Sequence, residues 1–329
     1  MTGNGLIRRG SAVEGGFAYA GAVVAFLLVS LVASLIPAGE HADLVSYIAT
    51  AVLQVCFFLA AFIPYKAMRS RPKYTYARPT VKACLGGGAV TLVCLVAFYG
   101  LTSLFSLLLW AVGYEFAGST DLTSPLGIVF SVLITIVLAP VCEEKLFRSG
   151  YLSSLEVLFG RAKSERRQTL SVICMCGLAF ALIHARPEQT VYQFFFGAAL
   201  AYLTIRTKSV FPAMIAHALN NAIGLVLSVP AVSAGMDAAL TAVAGGWYFV
   251  LLFAVVSVGL AAGGVFALRR LINALGDGRP EQSFRTEGEH GFKNYADDGG
   301  SLACGVFSAL ALVACAALWI FNLVAGLVA

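Results

Sequence analysis

Charge is what this sequence has least of. Asp, Glu, Lys and Arg make up 12% of its 329 residues, against about a quarter in an ordinary soluble domain. Such a chain cannot turn a water-facing surface outward from every helix, so a soluble globular fold is excluded. Missing too are the alternating segments of about ten residues that mark a transmembrane β-barrel. The eight cysteines (Cys56, Cys84, Cys94, Cys142, Cys174, Cys176, Cys304 and Cys315) form no Cys-x-x-Cys pair. They lie in or beside apolar runs and read as small packing residues, not as a disulfide frame or a zinc site. No His-Glu-x-x-His helix is present, and there are four histidines in all. The net charge of +5 comes from basic residues dispersed between apolar runs, which argues against a nucleic-acid partner.

What fills the chain instead is apolar sequence: 59% hydrophobic residues and a mean hydropathy of +0.86. Runs of 18 or more apolar residues recur along it, each long enough to cross about 30 Å of hydrocarbon. The fold class is therefore an all-α polytopic membrane protein, embedded in a lipid bilayer. Nine spans are predicted, at 16–37, 44–64, 82–112, 125–142, 168–185, 191–206, 210–229, 247–268 and 301–328, the fourth continuing as an amphipathic segment to about Phe159. The first has an apolar core of about twenty residues and no Ala-x-Ala site behind it. It reads as an uncleaved helix rather than a signal peptide. The resulting organisation is N-terminal helices over 1–120, a core over 121–230, a further helix over 231–268, a polar cytoplasmic linker over 269–300, and a last helix over 301–329. The linker mixes Arg279, Glu281, Arg285, Glu287, Glu289 and Lys293 with several glycines.

Basic residues sort the loops. Of the 22 Lys and Arg residues, 19 lie before residue 16, between 64 and 82, around 161–167, at 206–208 and between 269 and 293. These are alternate loops, and by the positive-inside rule they face the cytoplasm. The opposite loops hold one basic residue, Arg186. The N-terminus is thus expected to be cytoplasmic and the C-terminus outside, in a multi-pass cell-membrane protein.

Ionisable groups inside apolar spans cost roughly 2.5–3.5 kcal/mol each on insertion scales and are usually paired or functional. Three segments carry them. In Pro140-Val-Cys-Glu143-Glu144-Lys-Leu-Phe-Arg148, Glu144 and Arg148 share a helix face at i,i+4. Glu143 points about 100° away. Arg148 can therefore neutralise Glu144 while Glu143 stays available, and Pro140 can kink the helix and leave a carbonyl unpaired. The second segment, Phe180-Ala-Leu-Ile-His184, ends span five. In the third, His217-Ala-Leu-Asn220-Asn221, His217 and Asn221 lie on one face, with Asn220 free to bond a neighbouring helix. Each segment alone has an ordinary reading: charges at a helix end, an interfacial histidine, polar glue between helices. Together they make the inventory of a water-activating site. His184 lies near the outer end of its span and Glu143 nearer the cytoplasmic side, so bringing them together calls for tilted helices or a shortened span five.

Glu143-Glu144-x-x-x-Arg148, Phe180-x-x-x-His184 and His217-x-x-x-Asn221, in that order, resemble the three-motif signature of the CPBP family. That family comprises the type II CAAX prenyl endopeptidases and the bacterial bacteriocin-processing and immunity relatives also called Abi proteins. The resemblance covers about residues 125–225. Gly150, Phe196-Gly197 and Ile215-Ala216 agree with it. Ser149 departs from it, where many members have glycine, and so does the ninth helix. It implies a metal-independent intramembrane glutamic endopeptidase with no cofactor, acting on a peptide or membrane-protein substrate. Glu143 and His184 would activate water, His217 and Asn221 would form the oxyanion hole, and Glu144 and Arg148 would support them. On the residues alone, Glu143, His184 and His217 could instead hold zinc, and Cys142 could be a thiol nucleophile. A transporter would call for an inverted repeat or paired broken helices, and neither is evident. A non-catalytic scaffold on the same fold would be expected to lack motif residues, and this chain keeps all of them.

The topology is open to a direct check. A reporter active only in the cytoplasm should be active on the N-terminus and silent on the C-terminus, with the reverse for a reporter active only outside.

Overall fold

The computed structural model describes residues 8–9, 12–37, 39–116, 122, 124–160, 164–276 and 300–328. Its helices are α1 (Ala12–Leu35), α2 (Ala42–Ala67), α3 (Val81–Ala111), α4 (Pro125–Leu158), α5 (Glu165–Ile183), α6 (Thr190–Thr207), α7 (Phe211–Leu227), α8 (Pro230–Ala244), α9 (Trp247–Leu275) and α10 (Gly300–Val328). Each of the nine predicted spans holds one of them. Among the described residues seven, α1 to α5, α9 and α10, are long and apolar enough to cross a bilayer alone. Helix α7 joins α8 across an 80° bend, and together they form a candidate eighth crossing. Helix α8 lies between the predicted spans, beginning directly after Val229 at Pro230, which fits the first turn of a helix because its missing N–H has no helical partner there.

Side chains cap the starts of α3, α4 and α5. Thr80 accepts from the Ala83 amide at 3.1 Å, Ser124 from Gly127 at 3.0 Å and Ser164 from Arg167 at 3.3 Å. Each satisfies one of the orphan N–H groups of a helix N-terminus. The outer faces are apolar: Leu31, Ile63, Val96, Leu133, Leu252 and Val313 all stand exposed, the expected surface for helices solvated by lipid. The predicted linker over 269–300 needs correction at its start. Residues 269–275 are the last two turns of α9, where Leu268, Ile272 and Leu275 are buried on one face. That apolar stripe at i,i+4,i+7 outweighs Arg269 and Arg270, which project on the opposite side. The rest of that stretch, 277–299, lies outside the described residues, as do 161–163 and 117–121 of the charged loops.

Helix α4 runs through the middle of the bundle, against α1, α2, α5 and α7. The segment between α2 and α3 seams it from one side. Ser149 donates to the Tyr74 carbonyl at 2.7 Å, and Ser153 accepts from the Lys73 amide at 3.0 Å. Glu156 takes Lys73 Nζ at 2.7 Å and the Tyr74 hydroxyl at 2.5 Å. Ser149, where the resemblance leads one to expect glycine, thus has a bonding task of its own. The same segment carries the short parallel pairing of Ser70–Arg71 (β2) with Arg8–Arg9 (β1). A core of Tyr19, Phe147, Tyr151, Phe180 and Phe196 fills the space around α4.

Helices α3 and α7 approach through Gly87, where an added Cβ would come 2.4 Å from the Pro212 carbonyl oxygen. Backbone cannot yield as a side chain can. Gly87→Val should therefore lower stability by about 1–3 kcal/mol or more, read as a lower midpoint of thermal unfolding of the purified protein in detergent.

Candidate active site

The geometry of α4 comes from its register. Residues 132–138 and 145–151 are π-helical, and they bracket an α-helical piece, Ala139–Glu144. Short π segments recur at functional sites because each inserts an extra residue and re-aims the side chains beyond it. In the first of them the Ala139 amide bonds to Ile134 O, five residues back. Continued by one residue, that register pairs Pro140 with Thr135 O, and proline has no N–H to give. The freed carbonyl is taken by Asn221 Nδ2 of α7, at 2.7 Å. Asn221 Oδ1 accepts from Asn220 at 3.4 Å, and Asn220 Oδ1 from Tyr192 of α6 at 2.6 Å.

The two carboxylates have different surroundings. Glu144 is fully buried. Its Oε1 lies 3.0 Å from Arg148 Nη1 and 2.8 Å from His217 Nδ1. Arg148, equally buried, donates Nη2 to Gly197 O at 3.2 Å and stacks its guanidinium 4.5 Å from the centre of the Phe180 ring. Nη1 lies close to Oε1 without hydrogen-bond alignment. The pair is therefore held by charge more than by the parallel fork that arginine usually offers a carboxylate. Glu143, 6% exposed, turns its Oε1 to Gln54 Nε2 of α2 at 2.8 Å. Its Oε2 lies 4.0 Å from His184 Nε2 and 3.9 Å from His217 Nε2, and it has no hydrogen-bond partner among the described residues.

His184 caps the end of α5. Its Nδ1 lies 2.6 Å from Phe180 O, a carbonyl that only accepts, so Nδ1 carries a proton and Nε2 is the atom that faces Glu143. Phe180 also meets the rings of His184 and His217 edge-on, with centroids 4.9 and 5.6 Å apart. The expected difference in depth is settled by element lengths. Glu143 lies fifteen residues, about 22 Å, back from the end of α4, and His184 nineteen residues, about 28 Å, along α5. Both distances are measured from the same connection at 159–164. Span five starts three residues earlier than predicted and stops two sooner, and α4 continues well past Glu143, so the two groups come level.

Five of the six predicted site residues, Glu143, Glu144, Arg148, His184 and His217, therefore meet in one cluster. Asn221 stands one turn beyond His217 and binds Thr135 O rather than the cluster. Gln54 is the residue sequence reasoning passed over. Its signal was available: it is the one amide side chain within span two, and it lies buried against the carboxylate. Among the described residues no group of three or more His, Cys, Asp and Glu side chains is arranged to hold a metal ion.

Residues 125–223 match the family described as type II CAAX prenyl endopeptidase, Rce1-like. The matched segment carries every residue of the cluster named from sequence, and it leaves out Gln54 and α10. No curated protein and no solved structure matches the chain.

Removing one half of a buried ion pair strands the other charge, a loss of about 3–5 kcal/mol, whereas replacing both is far milder. Arg148→Met should therefore unfold at a clearly lower temperature than the double variant Glu144→Gln/Arg148→Met. Equal losses in a thermal-unfolding series would show that the pair is not coupled.

Proposed function

We propose that this chain is an intramembrane endopeptidase in which Glu143 and His184 activate water for attack on a peptide bond, with no metal and no covalent intermediate. One observation carries the reading: the free oxygen of a buried carboxylate faces the Nε2 atoms of two histidines at 3.9 and 4.0 Å. That separation is too long for a direct hydrogen bond. It suits one water about 2.8 Å from each group. The match of residues 125–223 to a family of membrane prenyl endopeptidases supports the same class of reaction.

In the proposed reaction the water oxygen bonds to the scissile carbonyl carbon and its proton passes to Glu143. The carbonyl electron pair moves onto oxygen. His217 Nε2–H and the second N–H of Asn221 donate to that oxyanion, Asn221's first N–H being committed to Thr135 O. The carbon–nitrogen bond then breaks and the proton reaches the leaving amine through His184. Glu144 Oε1, at 2.8 Å from His217 Nδ1, fixes the ring so that Nε2 faces the site, and Arg148 fixes Glu144. Gln54 fixes which oxygen of Glu143 is free. The substrate is a peptide or a segment of a membrane protein that reaches the site within the bilayer.

The test uses the full chain in lipid nanodiscs and a quenched fluorogenic peptide ending in a farnesylated CAAX tetrapeptide, alongside its unprenylated counterpart. Glu143→Gln should lower turnover at least about 10³-fold. Asn221→Ala should lose about 10²–10³-fold, the usual effect of an oxyanion donor. Gln54→Leu should lose about 10–10²-fold, since a hydrogen bond to a charged group is worth about 1.5–3 kcal/mol. Activity should persist in chelator. Full cleavage by Glu143→Gln would refute the assigned base. If neither peptide is cut, peptidomics of membranes with and without the active protein identifies the substrate, and an unchanged peptide pool would remove the reading.

A further inference from the structure

Helix α10 lies outside the matched segment, and its C-terminal half is bonded to the connection that comes after His184. Asn322 Nδ2 donates to Ala185 O at 2.6 Å, and Trp319 Nε1 donates to Thr190 Oγ1 at 2.7 Å. Nearby, the Glu115 amide donates to Gly326 O at 2.6 Å. Tyr114 packs on Gly326 so closely that a Cβ there would come 2.3 Å from its ring. The Tyr114 hydroxyl donates to Glu188 at 3.4 Å, and Glu188 in turn holds Arg186 at 2.7 Å. Each of these bonds and contacts lands between Ala185 and Thr190 or on the residues that brace that stretch.

Ala185 is the residue whose conformation needs such support. Its φ is +52°, in the left-handed region, at a helix end where glycine is the usual occupant. Alanine pays a steric cost there that glycine does not, and a conformation of that kind persists when its surroundings enforce it. Asn322 bonds the carbonyl of this residue, immediately after His184. Among the described residues the imidazole itself has one hydrogen bond, from Nδ1 to Phe180 O within its own helix. The direction of Nε2 therefore depends on the path of the backbone at 184–185.

We infer that Asn322 is a positioning residue and that α10 is a clamp on the catalytic turn: by holding the left-handed Ala185, it fixes His184 Nε2 opposite Glu143. This rests on the role proposed for His184. It gives α10 a task in the chemistry that its distance along the chain from the motifs conceals.

The test compares full-length wild type, Asn322→Leu, Asn322→Gln and Trp319→Phe in nanodiscs, with two readouts. The first is the ¹⁵N ring resonances of His184, assigned by their loss in His184→Gln. The second is kcat and KM on the farnesylated fluorogenic peptide. Asn322→Leu should move or broaden the His184 resonances and lower kcat about tenfold with KM changed less than about twofold. Asn322→Gln, which keeps the donor, should recover most of both. Trp319→Phe, losing one outer contact, should show a smaller change in the same direction, and with Asn322→Gln it decides the matter if Asn322→Leu does not fold. A folded Asn322→Leu with wild-type resonances and wild-type kcat overturns the clamp. So does a loss of activity that tracks the unfolding midpoint while the resonances stay in place. If wild type does not cut this peptide, the proteolytic reading is decided by the peptide pool, and the resonances alone decide whether α10 holds His184.

Discussion

Two adjacent carboxylates in the middle of a membrane bundle survive only where something answers their charge, and here that something is Arg148. Its guanidinium is completely buried. It pairs with Glu144, bonds Gly197 O on α6 and lies on the Phe180 ring of α5. One side chain on α4 thus holds three helices in register. Glu144, fixed in this way, presents its Oε1 to His217 of α7 and so fixes a fourth. The two glutamates differ in their surroundings: Glu144 Oε1 lies against Arg148 and His217, whereas Glu143 holds Gln54 with one oxygen and turns the other toward the Nε2 atoms of both histidines.

Backbone irregularity lets α4 make all these contacts. A regular helix with proline at 140 would leave an orphaned carbonyl in hydrocarbon, where it costs several kcal/mol. The π register shifts the orphan to Thr135 O, within reach of Asn221. The same asparagine that the motif offers as an oxyanion donor therefore has one N–H already in structural use. The second π segment carries Arg148 and Ser149, and it gives the segment between α2 and α3 a face to bond to. Close backbone approaches complete the packing, Gly87 against Pro212 O on one side and Gly177 against Phe194 O, 2.6 Å from where a Cβ would lie, on the other.

The helices outside the matched segment hold the site from two directions. Helix α2 reaches Glu143 through Gln54, and α10 reaches the His184 turn through Asn322 and Trp319. Both use amide or indole donors, which hold position in hydrocarbon without bringing a charge with them. The motifs supply the buried polar cluster, and the flanking helices bond to its edges.

Much of this was legible in the sequence because its causes are local. A shortage of charge and recurrent apolar runs fix a polytopic helical protein whatever the packing. The i,i+4 spacing of Glu144 and Arg148 sets them on one face, and the three motifs name the polar cluster. Other features depend on contacts between residues far apart in the chain, and there the sequence is silent. Gln54 looks like any polar residue in a span until α2 is laid against α4, 89 residues away. The level meeting of Glu143 and His184 comes from where α4 and α5 stop, which the buried ends decide and hydropathy does not. The continuation of α9 through Arg269 and Arg270 was won by an apolar stripe that packs on its neighbours. The left-handed turn at Ala185 goes against the preference of its own residue, and its carbonyl is bonded by Asn322 of α10, 137 residues away. Composition and spacing determine which residues enter the membrane together; packing between distant helices decides which atoms face one another.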